Sequence, residues 1–206
     1  MPNRCKNTIQ MKGIGKKEEL FTKDEFDFNK LIPMPESLKV EAGSHQDEAI
    51  FVYLTDMVKT TPENLDDSTK ELLKTLVFPF DNWEMLKSRM ENLKLKDLQT
   101  LYEEGKVYVD NYKTYGAPTW YEWRCQNWGT KWNSCCTKVI SDDEIEFDTA
   151  WYIPVPVLIA LSKQNPGVEI HGEFQNEGGT EGSYMIKDGT ITDIEIKEWQ
   201  WEEKTE

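Results

Sequence analysis

The stretch VEIHGEFQNEGGTEGSYMIKDGTITDIEIK, residues 168–197, predicts three strands of a β-sheet. Acidic and apolar residues alternate along much of it, which is typical of strands with one buried face and one face in water. We place these strands at 168–175, 182–187 and 190–197. The Asp188-Gly189 pair between the last two favours a tight hairpin turn, because the central residues of that turn need a positive φ.

The residues just before this stretch predict two more strands and two helices. The strands are placed at 132–140 and 144–149, and a helix follows at 154–164 with a proline in its first turn, where no backbone donor is lost. A short helix over 120–128 begins after Thr119. This order of elements matches the split β-α-β pattern of a ferredoxin-like sandwich, in which helices cover one face of the sheet and leave the other open.

The N-terminal part predicts one strand, at residues 5–11, and then mostly helices. An extended segment at 27–35 precedes the helices, because each residue before a proline is biased away from helix. The residues expected to begin or end the helices are Ser44, Asp67 or Ser68, Asp81 or Asn82, and Gly105, which would end a helix begun at residue 96.

The predicted fold class is therefore α/β, in the α+β sense. A ferredoxin-like antiparallel sandwich forms the C-terminal half, extended by an N-terminal strand and a helical insertion. We expect residues 1–118 to hold the N-terminal strand and the helical block. Residues 119–206 should form the acidic sheet domain, and the two parts should pack as one compact unit.

Composition limits the function. With 206 residues, of which 38% are hydrophobic and 12% aromatic, the chain can bury a core. No apolar run approaches the roughly 20 residues that span a bilayer, and the N-terminus lacks the apolar segment of a signal peptide, so we expect a cytoplasmic protein in a bacterial host. The net charge of −14 argues against direct nucleic-acid binding, which needs Lys and Arg for phosphates.

The negative charge is concentrated near the C-terminus. Residues 141–206 contain 16 of the 38 carboxylates but only 4 of the 24 Lys and Arg residues. Carboxylates two apart on a strand are about 6.7 Å apart and neighbouring strands are about 4.8 Å apart, which is of the order of nucleic-acid phosphate spacing. The carboxylates expected on the open sheet face are Glu144, Glu146, Asp148, Glu169, Glu173, Asp193 and Glu195.

Three interpretations of this acidic face remain open: an ordinary solvated surface, a surface that occupies a basic groove on another protein, and a site for divalent cations. Each requires the carboxylates to face water. We therefore expect more than half of Glu146, Glu169, Glu173 and Glu195 to be exposed. The matching inward residues would be Ile145, Phe147, Ile170 and Ile194, all buried.

Tryptophans cluster between the helical block and the strands. Their spacing favours a core role that joins helix and sheet, while a ligand pocket or partner site is the alternative. The residues of that alternative pocket are Trp120, Trp123, Trp128, Trp132, Lys131 and His171. The loop from Asn127 to Lys131 is expected to be structural.

Catalytic and metal-binding signatures are weak. The four cysteines form no C-x-x-C pair and the chain has two histidines, so we expect reduced, metal-free thiols at Cys125, Cys135 and Cys136. Cys136, His171 and Asp148 can be drawn as nucleophile, base and orienting carboxylate, but such a set is easily found by chance. We predict no catalytic residues and no cofactor.

Several phrases resemble a known family. They are MPN at the start with Asn7, FNKLIPMPE at 28–36, WRCQNWGTKWN at 123–133, and FDTAW at 147–151 ahead of Pro154. Together they resemble the YubB-like proteins, which occur in phages and plasmids. The resemblance implies a ferredoxin-like C-terminal domain and a mobile-element origin, and it carries over no catalytic residue.

These observations favour a non-catalytic phage or mobile-element accessory protein. It would bind a host protein with a basic groove through its acidic surface and inhibit a nucleic-acid-directed defence enzyme by nucleic-acid mimicry. The alternative is a small enzyme or ligand-binding domain with a Trp-lined pocket, His171 and Cys136. We expect neither direct nucleic-acid binding nor a membrane partner.

Overall fold

The computed structural model describes residues 3–60, 64–77 and 83–198. The chain divides into two compact units. The first, which we call the sheet unit, combines Met1–Met34 with Arg124–Glu206, and the second, the helical unit, is Pro35–Trp123. Among the described residues, no helix is both long and apolar enough to cross a membrane.

The predicted order of strands and helices is confirmed. The strands are β1 (Arg4–Gln10), β2 (Phe21–Thr22), β3 (Glu25–Phe26), β4 (Cys135–Ser141), β5 (Glu144–Ala150), β6 (Glu169–Asn176), β7 (Thr180–Lys187) and β8 (Thr190–Glu198). The helices are α1 (Ser44–Leu54), α2 (Asp67–Leu76), α3 (Trp83–Glu91), α4 (Leu95–Tyr115), α5 (Trp120–Asn127) and α6 (Val155–Gln164). The short β2–β3 hairpin had no clear signal in the sequence. Residues 28–30 and 36–38 form 3₁₀ turns rather than one extended segment.

The sheet unit is built on six antiparallel strands in the order β4-β5-β1-β6-β7-β8. The N-terminal strand β1 lies in the middle of the sheet, where Asn7 stands opposite Phe147 of β5 on one side and Phe174 of β6 on the other. The first 34 residues therefore pack with the C-terminal strands, which differs from the boundary expected at residue 118. Hydrogen bonds along both edges of β1 are the reason.

The core of the sheet unit is aromatic at its centre. Trp128 is fully buried, its ring packs edge-on against Phe28 at 5.7 Å, and its Nε1–H donates to the Ile32 carbonyl at 2.9 Å. Phe147 packs against Phe26 at 5.2 Å. The prediction that Ile145, Phe147 and Ile170 point inward is confirmed, since all three are buried.

The prediction that Ile194 is buried is wrong, because 57% of this residue is exposed. It lies on β8, which forms an edge of the sheet. The pairing with β7 is irregular between Ser183 and Met185, and Asp193 has a φ of +52° at this point. An extra residue of this kind disrupts the alternation that the sequence pattern assumes.

A polar network fixes the N-terminal segment to the residues before β4. The Asp27 carboxylate accepts hydrogen bonds from Asn133 Nδ2 at 2.7 Å and from the Asn29 backbone N–H at 3.0 Å. Burial acts to raise the pKa of Asp27, but hydrogen bonds from Asn133, Thr22 and Asn29 outweigh it, so the pKa lies below its usual value. The charged form of Asp27 therefore belongs to the folded structure.

The helical unit packs α1 against α4. Gly105 does not end a helix as predicted; α4 continues to Tyr115 and ends at Gly116, whose φ is +74°. A Cβ atom on Gly105 would lie 2.0 Å from the Ala49 carbonyl oxygen, so glycine allows the two backbones to approach closely here.

Helices α1 and α2 begin at Ser44 and Asp67, as predicted. The cap position before α1 is Gly43 rather than Ser44, and the cap of α2 is Asp66, whose side chain accepts the Thr69 N–H at 3.0 Å. The predicted cap at Asp81 or Asn82 lies outside the described residues. Thr119 precedes α5 as expected, and its hydroxyl accepts the Tyr121 N–H at 3.2 Å.

Replacing Gly105 by Ala should lower the stability of the protein. At an ordinary helix position this change is stabilising by about 1 kcal/mol. Here the added methyl group meets the Ala49 backbone, so we expect a loss of about 1–3 kcal/mol. Thermal unfolding, followed by the circular dichroism signal of the helices, measures this loss of stability. Replacement of the exposed Lys106 by Ala is the control. A higher melting temperature for Gly105→Ala would contradict the close approach of the two backbones.

Replacing Trp128 by Ala should cost about 3–5 kcal/mol, since it removes a fully buried ring and orphans the Ile32 carbonyl. Trp132 is the matched control because 43% of it is exposed, and Trp132→Ala should cost much less. Denaturant unfolding by circular dichroism compares the two variants. Equal losses would mean that Trp128 is not the anchor of this core.

Candidate partner-binding surface

One face of the sheet, which we call the open face, is directed to solvent. Helix α6 lies against the opposite face, where Leu158 and Leu161 are buried. Along β6 the alternation is regular, with Glu169, His171 and Glu173 exposed and Ile170 buried. Residues that stand opposite each other on paired strands lie on the same face, so the register identifies the residues of the open face on the other strands.

Five of the predicted carboxylates can be followed across the sheet from this register. Glu146 of β5 and Glu173 of β6 both stand opposite Thr8 of β1, and Glu173 in turn stands opposite Ser183 of β7. Ser183 stands opposite Glu195 of β8. These residues form a single row, whereas Asp148 and Glu144 lie one step away along β5, on the same face.

Basic residues neutralise two of the three carboxylates of β5, Glu146 and Asp148, whereas Glu144 accepts a hydrogen bond from the Gln10 amide at 3.2 Å. Lys6 and Lys138 lie 2.7 and 2.9 Å from the two oxygens of Glu146, and Arg4 lies 3.2 Å from Asp148. Hydrogen bonds from Lys6 and Lys138 lower the pKa of Glu146 below its usual value. Only 17% of the Glu146 side chain is exposed, so the expectation of more than half is wrong for this residue. The lysines cover it.

Glu169 of β6 is paired as well. Lys187 of β7 lies 2.9 Å from one of its oxygens, and His171 lies 3.7 Å from the other. The hydrogen bond from Lys187 is the main reason that the pKa of Glu169 is below its usual value. Its side chain is 46% exposed, slightly less than expected. The negative potential on this part of the face is therefore reduced.

The remaining predicted carboxylates are Glu173 on β6 and Asp193 and Glu195 on β8. Two shallow depressions of about 420 and 560 Å³ share Glu173, Ser183 and Glu195 in their walls. The first is also lined by Glu181 and the second by Asp193. We call these joined depressions the acidic groove and define it by Glu173, Glu181, Asp193 and Glu195.

Two lysines border the acidic groove. Lys6 is held by Glu146, and Lys197 lies 3.8 Å from Glu195, a longer separation than in the β5 pairs. The side chain of Glu195 is 69% exposed, as expected, and Glu173 is also exposed. Glu181 was missed from the sequence because the strand was expected to begin at Gly182, although the acidic and apolar alternation already includes residue 181.

The residues of the alternative pocket are divided between the two units. Trp128 is in the core of the sheet unit, whereas Trp120 and Trp123 belong to the helical unit. Trp132 is partly exposed, and Lys131 Nζ lies 4.2 Å from the ring centres of both Trp132 and Trp151. This arrangement is a stacked cation between two indoles, and it leaves His171 on a separate strand of the open face.

The loop at 127–131 has the structural role that the sequence predicts. Gly129 has a φ of +77°, and an added Cβ would lie 3.0 Å from the Pro156 ring. The Thr130 hydroxyl is buried and donates to the Ala150 carbonyl at 2.9 Å. These contacts hold the start of α6 and the end of β5 in place.

Cys136, His171 and Asp148 are not arranged as a catalytic triad. Cys136 is on β4 and His171 is on β6, with β5 and β1 between them, so their strands are about 14 Å apart. The adjacent Cys135 does not replace Cys136 as a nucleophile: loss of solvation around its sulfur, followed by the neighbouring Cys136, raises the pKa of the Cys135 thiol to about 11, which leaves this thiol protonated at neutral pH.

A different set is brought together: Cys135, Cys136 and Asp148. Their potential ligand atoms all lie within 4.8 Å of one another. This set has no signal in the sequence, because Asp148 comes 13 residues after Cys135 and 12 after Cys136, which is no known metal-ligand spacing. The register that places Cys135 opposite Asp148 is visible only in the sheet.

One comparison with known proteins bears on the fold of the C-terminal part. A search of curated proteins gave no match. The crystal structure of a protein api92 from Yersinia pseudotuberculosis is similar over 97% of this chain and 99% of that chain, at 12% identity and a TM-score of 0.41, values too low to support a functional argument. Residues 127–206 match the family model described as the ferredoxin-like domain in Api92-like protein. The chain therefore has a mixed α/β fold whose C-terminal part is similar to the ferredoxin-like domain of Api92-like proteins.

Proposed function

We propose that this protein is a non-catalytic accessory protein of a phage or other mobile element. It binds a host protein through the acidic groove and inhibits a nucleic-acid-directed defence enzyme by occupying its basic, nucleic-acid-binding surface. The mobile-element origin rests on the resemblance to the YubB-like proteins. The binding mode rests on the charge distribution of the open face.

The observation that carries the proposal is the separation of paired and unpaired carboxylates. Glu146 and Asp148 of β5 are held by Arg4, Lys6 and Lys138. Within residues 3–60, 64–77 and 83–198, no ion pair is described for Glu173 or Glu181, and Glu195 has a longer contact of 3.8 Å with Lys197. A basic partner gains most from carboxylates that are not already held by a close cation, so the contact surface is the acidic groove rather than β5.

The geometry of the groove suits a surface that normally contacts phosphates. Glu173 and Glu195 lie in one row on β6 and β8, two strand spacings or about 9.6 Å apart. Glu181 lies on the intervening β7. A lysine- or arginine-rich groove that tracks a nucleic-acid backbone can contact such a set of carboxylates at the same time, and salt would weaken the complex as it weakens nucleic-acid binding.

The alternative of a small enzyme or ligand-binding domain has less support. Its two proposed residues, His171 and Cys136, are on strands separated by β5 and β1. Its tryptophans are divided between the two units. We therefore argue only the binding function.

Reversing three carboxylates of the groove should abolish partner binding. We expect the variant carrying Glu173→Lys, Glu181→Lys and Glu195→Lys to weaken capture of a bacterial nucleic-acid-binding protein by at least about tenfold, or about 1.4 kcal/mol. Immobilised protein is incubated with bacterial lysate at low and high salt, and the captured proteins are identified by mass spectrometry. Double-stranded DNA added to the wash should release the specific partner.

The matched control reverses three exposed acids of the helical unit, Glu84, Glu103 and Asp110, with the same change in net charge. It should keep the partner. Both variants should show unchanged circular dichroism, because exposed charges usually alter stability by about 0.5 kcal/mol or less each. Equal capture by both variants, or a partner that DNA does not release, would show that the groove is an ordinary solvated surface.

A further inference from the structure

The two adjacent cysteines of β4 point to the same side of the sheet, which a regular strand does not allow. Successive side chains of a strand normally alternate between faces. Here the pairing of β4 with β5 shifts between Cys135 and Lys138, and Cys136 has a φ of +58°. This irregularity turns the Cys136 side chain toward that of Cys135. Strained residues and bulges of this kind occur most often at functional sites.

The third member of the cluster comes from the neighbouring strand. Asp148 stands directly opposite Cys135, and the two sulfur atoms and a carboxylate oxygen lie within 4.8 Å of one another. Both cysteines are free thiols and are exposed, so an ion can reach them from solvent. The cluster lies at the β4–β5 edge of the open face, three strands from β7 and away from the acidic groove.

We propose that Cys135, Cys136 and Asp148 form a binding site for a thiophilic divalent metal ion, of the class of Zn²⁺ or Cd²⁺. Two thiolates and one carboxylate are ligands that this class of ion accepts, whereas Mg²⁺ and Ca²⁺ prefer oxygen ligands alone. Three protein ligands leave a fourth tetrahedral position for water. The site is independent of the proposed partner binding, because none of its residues belongs to the acidic groove.

The chemistry at the site balances without any other reactant. Each thiol loses a proton to solvent as its sulfur binds the ion, and Asp148 binds as a carboxylate. Two thiolates, one carboxylate and a divalent ion leave one negative charge. Arg4, which lies 3.2 Å from Asp148, can balance that charge. The ligand atoms need to move closer by small side-chain rotations, since 4.8 Å is the upper limit of their separations.

Titration of the reduced full-length chain with Cd²⁺ tests the site. The ultraviolet charge-transfer absorption of cadmium thiolate should rise and reach its limit at one ion per chain. A large excess of Zn²⁺ should displace the Cd²⁺ and lower the absorption, while the same excess of Mg²⁺ should not. Melting temperature should increase with the Cd²⁺ concentration, because an ion that binds only the folded chain stabilises it.

Variants assign the ligands. Cys135→Ser and Cys136→Ser should each abolish the absorption. Asp148→Asn should weaken Cd²⁺ binding by at least about tenfold, because even the loss of a residue that only hydrogen-bonds to a metal ligand has an effect of this size. Cys125→Ser is the control, because Cys125 is on α5 outside the cluster, and it should bind like the unchanged chain.

Circular dichroism checks that each variant is folded. If a serine variant does not fold, Asp148→Asn, which retains both thiols, still tests the site. Unchanged Cd²⁺ binding in the Cys135 and Cys136 variants would overturn the proposal. So would loss of binding in Cys125→Ser. A Cys135–Cys136 disulfide that forms in air at the same rate with and without Cd²⁺ would also overturn it, because a bound ion protects thiolates from oxidation.

Discussion

The position of β1 between β5 and β6 is the constraint on which the sheet unit depends. This strand comes from the first ten residues, and the strands on both sides of it come from the last third of the chain. Without it, residues 127–206 would hold two sheet fragments with unpaired edges facing each other. Buried Asn7 reinforces the position, since its amide donates to the Cys5 carbonyl at 2.9 Å and to the Thr149 hydroxyl at 3.0 Å.

The same strand decides where the charge of the open face is available. Arg4 and Lys6 reach the open face through β1 and pair with Asp148 and Glu146 of β5. The β6 side of β1 carries no comparable base opposite Glu173, which faces Thr8. Glu146 and Asp148 on the β5 side are therefore neutralised, and the carboxylates of the acidic groove lie on the β6 side of β1.

Local signals predicted most of the elements, because alternation and the Asp188-Gly189 turn report directly on strand geometry. Features that depend on contacts between distant residues were not predictable. A glycine such as Gly105 indicates a helix end in the sequence, but here it lies inside α4, where the backbone of Ala49 on α1 leaves no room for a side chain. The cancellation of Glu146 by Lys6 and Lys138, and the meeting of Cys135 with Asp148, arise from strand order and register, which a single sequence does not specify. The phrases that suggested a family resemblance contain buried and hydrogen-bonded residues such as Trp128 and Asn133, so they report on fold rather than on activity.

The central place of β1 has a consequence for how the chain folds as it is made. Asn7 and Phe147 are 140 positions apart, so the first strand leaves the ribosome long before either of its partners exists. The helical unit, formed by consecutive residues, can fold in that interval, whereas β1 must stay unpaired until β5 and β6 have been synthesised. Pairing over such a separation is slow, because a long loop must close before any contact offsets its entropy. The helical block can therefore be folded in the nascent chain while β1, which precedes it, is still unpaired.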